Sequence, residues 1–394
     1  MCIRDRLKGF SKALPGSDEV PELTYLEYLA YTKSATSGHD YVLAAVCAFL
    51  PDEADCASPP STFANHDLGD IVAYQMFVKG VQYQHTWLYS THELYSALDK
   101  CGKKENAFNQ APHAWDEGWA FYVGSLSGED GSAPSEAGQL TYRMADKRAS
   151  DMKTRASDGP PHWREGSAGA ATSNVNAKLL RLYRAGLEAV GAADKARCEE
   201  ATHYVADIVA QMTVPLIQGA IKYAYKADPN GGDETAYDDG KAWAEFHAFA
   251  SAALPRVHHC DVDAAKTIAA AIKLPAGLNF TGPAPFTPSS AGLVAGGYGA
   301  VKAAFESVYE CLGITCADVG GYNAAMPACA DKSTIHDDSW YYDGLERAND
   351  VLLPIVGYVP ASDVREHNAL DKDCLLYTSP SPRDATLSRM PSSA

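Results

Sequence analysis

Apolar positions along this chain recur with helical period. In HDLGDIVAYQMFVKGVQ (66–82), His66, Asp70, Tyr74 and Val78 fall at i, i+4 spacing on one face, with Ile71 and Val72 flanking it. From 113 to 122, Trp115, Trp119 and Tyr122 form an aromatic stripe, and Glu117 and Phe121 lie on an adjoining row. Pro112 stands where a helix can begin, and Asp238-Asp239 precede a second such block, where the helix dipole favours acidic residues. Segments 179–190 and 300–312 are amphipathic and rich in helix formers. Gly/Pro/Ser-rich stretches at 127–138, 157–173 and 275–297 read as linkers. No segment alternates in the manner of a strand, so the expected fold class is mainly α.

Two blocks occur twice. HDLGDIVAYQMFVKGVQ (66–82) and HYVADIVAQMTVPLIQ (203–218) share a His, Asp-Ile-Val-Ala, Gln-Met, a Val and a final Gln when one gap is allowed. HAWDEGWAF (113–121) pairs in the same order with KAWAEFHAF (241–249). Self-similarity of this kind predicts a duplication. The expected organisation is a helical bundle over 7–157, a linker over 158–173, a second antiparallel bundle over 174–275 and a Gly/Pro-rich linker over 276–292. A C-terminal helical segment or partial third repeat follows over 293–373.

The ends change the composition. Residues 1–6 (MCIRDR) read as the translated mosaic end of a transposon-based sequencing adapter, and 374–394 (from CLLYTSPSPRD) as the same adapter on the opposite strand. Fold reasoning is confined to 7–373, and the terminal segments are expected to lack stable packing. That interval holds 29 basic and 48 acidic residues, a net charge of −19. Such a surface excludes nucleic acid and anionic lipid as natural partners and attracts cations. Its eight cysteines form no C-x-x-C knuckle and suit up to four disulfides in an oxidising compartment. Asn279-Phe280-Thr281 is a glycosylation acceptor, consistent with export. No apolar run approaches the length of a membrane span.

The chemistry on offer is oxygen and nitrogen ligands carried on helices. His66/Asp70, His203/Asp207 and His113/Glu117 are i, i+4 pairs, each able to reach one ion, and Glu245 is the counterpart of Glu117 in the second block. The same spacing also serves a plain hydrogen bond or a helix cap. The 22 tyrosines are a larger signal, since phenolate, carboxylate and imidazole together suit ferric iron, although interhelical packing uses tyrosine as well. Tyr142, in YRMADKR (142–148), joins the candidate metal ligands, and Arg143 and Arg148 are candidates for holding an anion. Glu117 emerges beside two tryptophans and needs a partner: His113, Arg143, Arg148 or a bound cation.

HAWDEGWAFYVGSL and YRMADKR resemble signatures of algal low-iron-inducible periplasmic proteins, an iron-assimilation family grouped with phytotransferrins. Trp115, Asp116, Glu117, Tyr142, Asp146, Lys147 and Arg148 match motif positions. The chain departs at Gly118, where the family pattern has Ala, and at Ala149, where it has Cys. The resemblance implies a secreted, periplasmic or cell-surface, non-enzymatic protein that captures Fe3+ for high-affinity uptake, with carbonate as synergistic anion. It also implies a cell-surface reductase or membrane iron transporter as partner. A metal-dependent bundle enzyme and a metal-free wall or matrix glycoprotein are the alternatives. Against the enzyme stands the absence of paired E-x-x-H, H-E-x-x-H, nucleophile-elbow and phosphate-loop patterns.

Overall fold

The computed structural model describes residues 45, 47, 69–101, 110–124, 140–155, 173–192, 194–228, 231, 240–272 and 296–330. The terminal adapter-like segments, most of the linker sequence, His66 and Asn279 lie outside them. The described residues are mainly α, with two isolated bridges and no strand. In chain order the elements are α1 (Gly69–Gly80), a π turn (Val81–His85), α2 (Thr86–Cys101), α3 (Gln110–Val123) and α4 (Leu140–Met152). There follow α5 (Asn174–Gly191), α6 (Lys195–Ala227), α7 (Lys241–Cys260), α8 (Val262–Ala271) and α9 (Gly297–Glu306). The short α10 (Tyr309–Leu312) and α11 (Cys316–Val319) complete the order.

Local chemistry sets several helix starts. Ser173 caps α5 by accepting from the Asn176 backbone N–H at 3.0 Å, and Asp194 caps α6 through Ala196 at 3.1 Å. Asp261 receives both Asp263 and Ala264 at the head of α8, and Thr315 with Asp318 forms a capping box on α11. On α1, Val72, Ala73, Met76 and Phe77 are buried, whereas Asp70, Ile71 and Tyr74 are exposed. The helix buries its apolar stripe, so the face shared by Asp70 and Tyr74 turns to solvent.

The 33-residue α6 organises the packing, meeting α2, α4, α5, α7, α9 and α11. By length and composition it would cross a membrane, against the sequence expectation, yet 89% of its apolar window is buried inside the fold. It is a core helix. The blocks 113–121 and 241–249 fall on α3 and α7; residues 203–218 fall on α6, and 69–82 of the block 66–82 fall on α1 and the π turn. Their neighbours differ, however: α3 packs on α2, α4 and α5, whereas α7 packs on α1, α6 and α8. The structure does not confirm a duplication, and one apolar cluster runs through both halves from Ala45 to Met326.

Three described disulfides tie element ends together: Cys101–Cys198 joins α2 to α6, Cys260–Cys311 joins α7 to α10, and Cys316–Cys329 closes the segment after α11. Cys47 is disulfide-bonded too. The packing is close where α3 meets α5, with Trp115 donating to the Tyr183 carbonyl at 2.8 Å. A Cβ at Gly186 would lie 1.9 Å from the Trp115 ring. Gly186→Ala is therefore expected to lower stability in denaturant unfolding by about 1–3 kcal/mol through overpacking. Gly191→Ala, whose added methyl meets only Pro112 at 4.0 Å, should leave stability unchanged or slightly raised.

Candidate functional site

A buried polar cluster forms where α1 and the π turn, α4, α6 and α7 come together. Helical spacing supplies its members in pairs. Lys79 and Tyr83 are four apart across the end of α1, Glu245 and Phe249 four apart on α7, Arg148 and Asp151 three apart on α4, and Lys222 and Tyr223 adjacent on α6. The π turn, a form of helix common at functional sites, sets Tyr83 against α7. There its ring stacks on Phe249 with centroids 5.0 Å apart, and Tyr223 stacks on the same Phe249 at 5.8 Å.

Glu245 is the more deeply buried of the cluster's two carboxylates. It is only 5% exposed; Oε1 lies 3.8 Å from Lys79 Nζ, and Oε2 has no hydrogen-bond partner. Opposite in sign, the buried Arg148 guanidinium sits over the Tyr223 ring at 5.4 Å. Its Nη2 meets Asp151 at 3.1 Å, while Nε and Nη1 have no partner. Burial pushes the Tyr83 and Tyr223 hydroxyls well above the ordinary phenol range, and both feel the charges of Glu245 and Arg148. Burial also lowers Lys79, an effect that Glu245 opposes. The Tyr223 hydroxyl hydrogen-bonds with Glu245 and Arg148, while Glu245 Oε2 and Arg148 Nε and Nη1 are left without a partner. This set can take a hard cation on its oxygens and an anion on its arginine.

Other expected residues go elsewhere. Tyr142 packs its ring against Trp119 and Tyr122, and its carbonyl accepts from Asn176 at 2.9 Å. Arg148, six residues further along α4, faces a different way. Asp70 and His203 are exposed and Asp207 is half-buried, and none of these three described residues belongs to the cluster. Arg143 is half-buried and acts on Tyr83 only through its charge. Lys79, Tyr83, Asp151, Lys222 and Tyr223 are members that no site expectation named. The two tyrosines stood among the general tyrosine excess, and Asp151 places the opposite charge three residues beyond Arg148.

His113 and Glu117 do meet, Nε2 to Oε1 at 3.5 Å, between α2 and α3. Glu117 shares that interface with Glu93, whose carboxyl is raised first by burial and then by the Glu117 charge. Among the described residues, no three His, Cys, Asp or Glu side chains are placed to hold a metal ion together. At Gly118, a Cβ would come within 3.1 Å of Leu94 and 3.2 Å of the Ser90 carbonyl, where α3 lies against α2.

A family model described as the low iron-inducible periplasmic protein matches residues 34–234. No curated protein and no solved structure matches the chain.

Asp116, beside Glu117, gives this region a titration to measure. Burial alone pushes its carboxyl up to about 7, and its Oδ1 has no partner. An unfolded Asp ionises near pH ~4. Between about 4 and about 7 the folded state therefore binds more protons, and stability falls as pH rises through that window. Asp116→Asn should remove this fall: its unfolding free energy should change less than wild type between those limits and exceed wild type above pH ~7.

Proposed function

The chain belongs to the low iron-inducible periplasmic protein family, and on that premise we propose that it is an extracytoplasmic ferric-iron-binding protein of iron uptake. The cargo Fe3+ is held by Tyr83, Tyr223 and Glu245, and a carbonate anion is held by Arg148. The observation that carries this reading is the unspent buried bonding capacity of Glu245 Oε2 and of Arg148 Nε and Nη1 beside two phenols. A buried charge left without a partner is costly, and a trivalent cation with its anion would satisfy both signs at once. Phenols and carboxylates are hard donors, which suit a trivalent cation. The disulfides suit an oxidising compartment, and the net charge of −19 over 7–373 favours cations near the protein.

The site supplies anion and oxygen donors but no positioned nucleophile with a base, which favours capture and delivery over turnover. Delivery would be to a cell-surface reductase or a membrane transporter. Because phenols must lose protons to ligate, loading releases protons and affinity falls as pH falls.

The test is a ferric titration of the whole chain with bicarbonate present, followed by the visible tyrosinate-to-iron band. Wild type should colour. Tyr223→Phe and Glu245→Gln should each weaken binding by at least the ~10–100-fold that loss of an outer-shell partner costs. Glu117→Gln should bind as wild type does. A colourless wild type, or a band that survives Glu245→Gln but vanishes with Glu117→Gln, would show that this assignment is wrong.

A further inference from the structure

The chain is acidic as a whole, yet around this cluster the sign reverses. Lys79 Nζ lies 3.8 Å from Glu245 Oε1 and 5.8 Å from the Tyr83 ring centre. Lys222 Nζ lies 2.8 Å from Asp151 Oδ2 and 5.5 Å from the Tyr223 ring, and the Arg148 guanidinium faces that ring at 5.4 Å. A second tier of cations stands beside these. Lys241 is one turn before Glu245 on α7, Lys226 one turn after Lys222 on α6, and Lys147 directly precedes Arg148 on α4. Their charges reach the cluster. Burial lowers the Lys79 amine, Glu245 opposes the fall, and Arg148, Lys147 and Lys241 add to it. Burial and Arg148 likewise lower Lys222, with Asp151 opposing and Lys226 contributing. The carboxylates set against these cations are Glu245 and Asp151. Lys147 and Lys241 are exposed, Lys79 and Lys222 half-buried and Arg148 buried, so positive charge runs from the surface down to the phenols.

A bare trivalent cation is repelled by such an approach. Ferric iron near neutral pH, however, hydrolyses unless oxygen chelators hold it, and chelation by a polycarboxylate reverses its sign. We propose that the cluster takes its iron from an anionic ferric polycarboxylate, guided in by Lys147 and Lys241. The inference rests on the ferric-iron reading above and names the form in which the cargo arrives. A field of this sign raises the encounter rate of an anion without requiring any contact in the loaded state. The exchange is redox-neutral. Iron stays ferric, Tyr83 and Tyr223 release their phenol protons to solvent, and the polycarboxylate leaves as the free anion. The two phenolates and Glu245 then neutralise the bound ion, so the surrounding cations no longer oppose it.

The experiment follows iron retained by the whole chain after rapid gel filtration, in the range where the loading rate rises in proportion to chelate concentration. Ferric citrate is the anionic donor and the neutral tris(acetohydroxamate) complex of iron is the control, both with bicarbonate present. From ferric citrate, wild-type loading should slow as salt rises, the reverse of what the acidic chain as a whole would impose. Lys147→Glu combined with Lys241→Glu should load about 10-fold more slowly at low salt, the lower end of the range for steered association, and the difference should vanish at high salt. Lys147→Gln combined with Lys241→Gln should fall between the two. Final iron content, loading from the neutral complex and melting temperature should match wild type in both variants. Citrate loading that quickens with salt, or a charge-reversed variant as fast as wild type at low salt, would overturn the inference while leaving the function standing. So would a slowing shared equally by the neutral complex in both variants, since the lysines would then be holding the fold. A wild type that retains iron from neither donor removes the function, and this inference with it.

Discussion

The cluster is organised around a carboxylate whose charge is buried and only half answered. Glu245 is out of water on α7, with the Lys79 ammonium at 3.8 Å, too far for a close hydrogen-bonded pair. Burial of this kind is tolerated only where packing elsewhere over-determines it. That packing is visible. α7 packs against α6 and α1 and buries Trp243, Phe246 and Phe249, and Phe249 seats against α6 because residue 219 is glycine: a Cβ there would lie 2.8 Å from its ring. Phe249 in turn carries the rings of Tyr83 and Tyr223. The apolar core therefore sets where the phenols stand, and the guanidinium lies between Asp151 and the Tyr223 ring.

Helical period was readable in the sequence, and with it the mainly α fold and the eligibility of Glu245 and Arg148. The period does not say which of two faces is buried. On α1 the Asp70/Tyr74 face and the Val72/Met76 face have the same repeat, and apolar area decides in favour of the second. His203 loses to the Tyr204, Val205 and Ile208 stripe for the same reason. Tyr142, a candidate ligand from YRMADKR, packs its ring against Trp119 and Tyr122, apart from the cluster around Glu245. The pairing of Lys79 with Tyr83 spans a π turn, a local irregularity that no periodic pattern expresses. Tyr223 becomes a site residue only through the meeting of α6 with α7 and α4, a tertiary fact.

The family match covers Lys79, Tyr83, Arg148, Asp151, Lys222 and Tyr223 and stops at residue 234, before Glu245. The carboxylate that draws the others together thus lies beyond the matched stretch, on a helix that packs on α1 and α6 within it. The segment after residue 296 contributes as well. Tyr298 and Tyr322 both pack on Tyr225, Gln218 donates to the Asp318 and Val319 carbonyls at 3.3 and 3.0 Å, and Lys178 pairs with Asp318. With Cys260–Cys311 and Cys316–Cys329 closing this segment, α6 is clasped on the side next to the cluster. Rigid surroundings of this kind hold donors in place before a ligand arrives.

The central claim is one of location: the cargo sits between Tyr83, Tyr223 and Glu245, with its anion on Arg148. Crystals of the chain loaded with ferric iron and bicarbonate, measured at the iron absorption edge, test it most directly. The account predicts one strong anomalous peak within bonding distance of Glu245 Oε2 and both phenol oxygens, with anion density against the Arg148 guanidinium. A peak at His113 and Glu117, on the solvent face by His203 and Asp207, or nowhere in the molecule would contradict it.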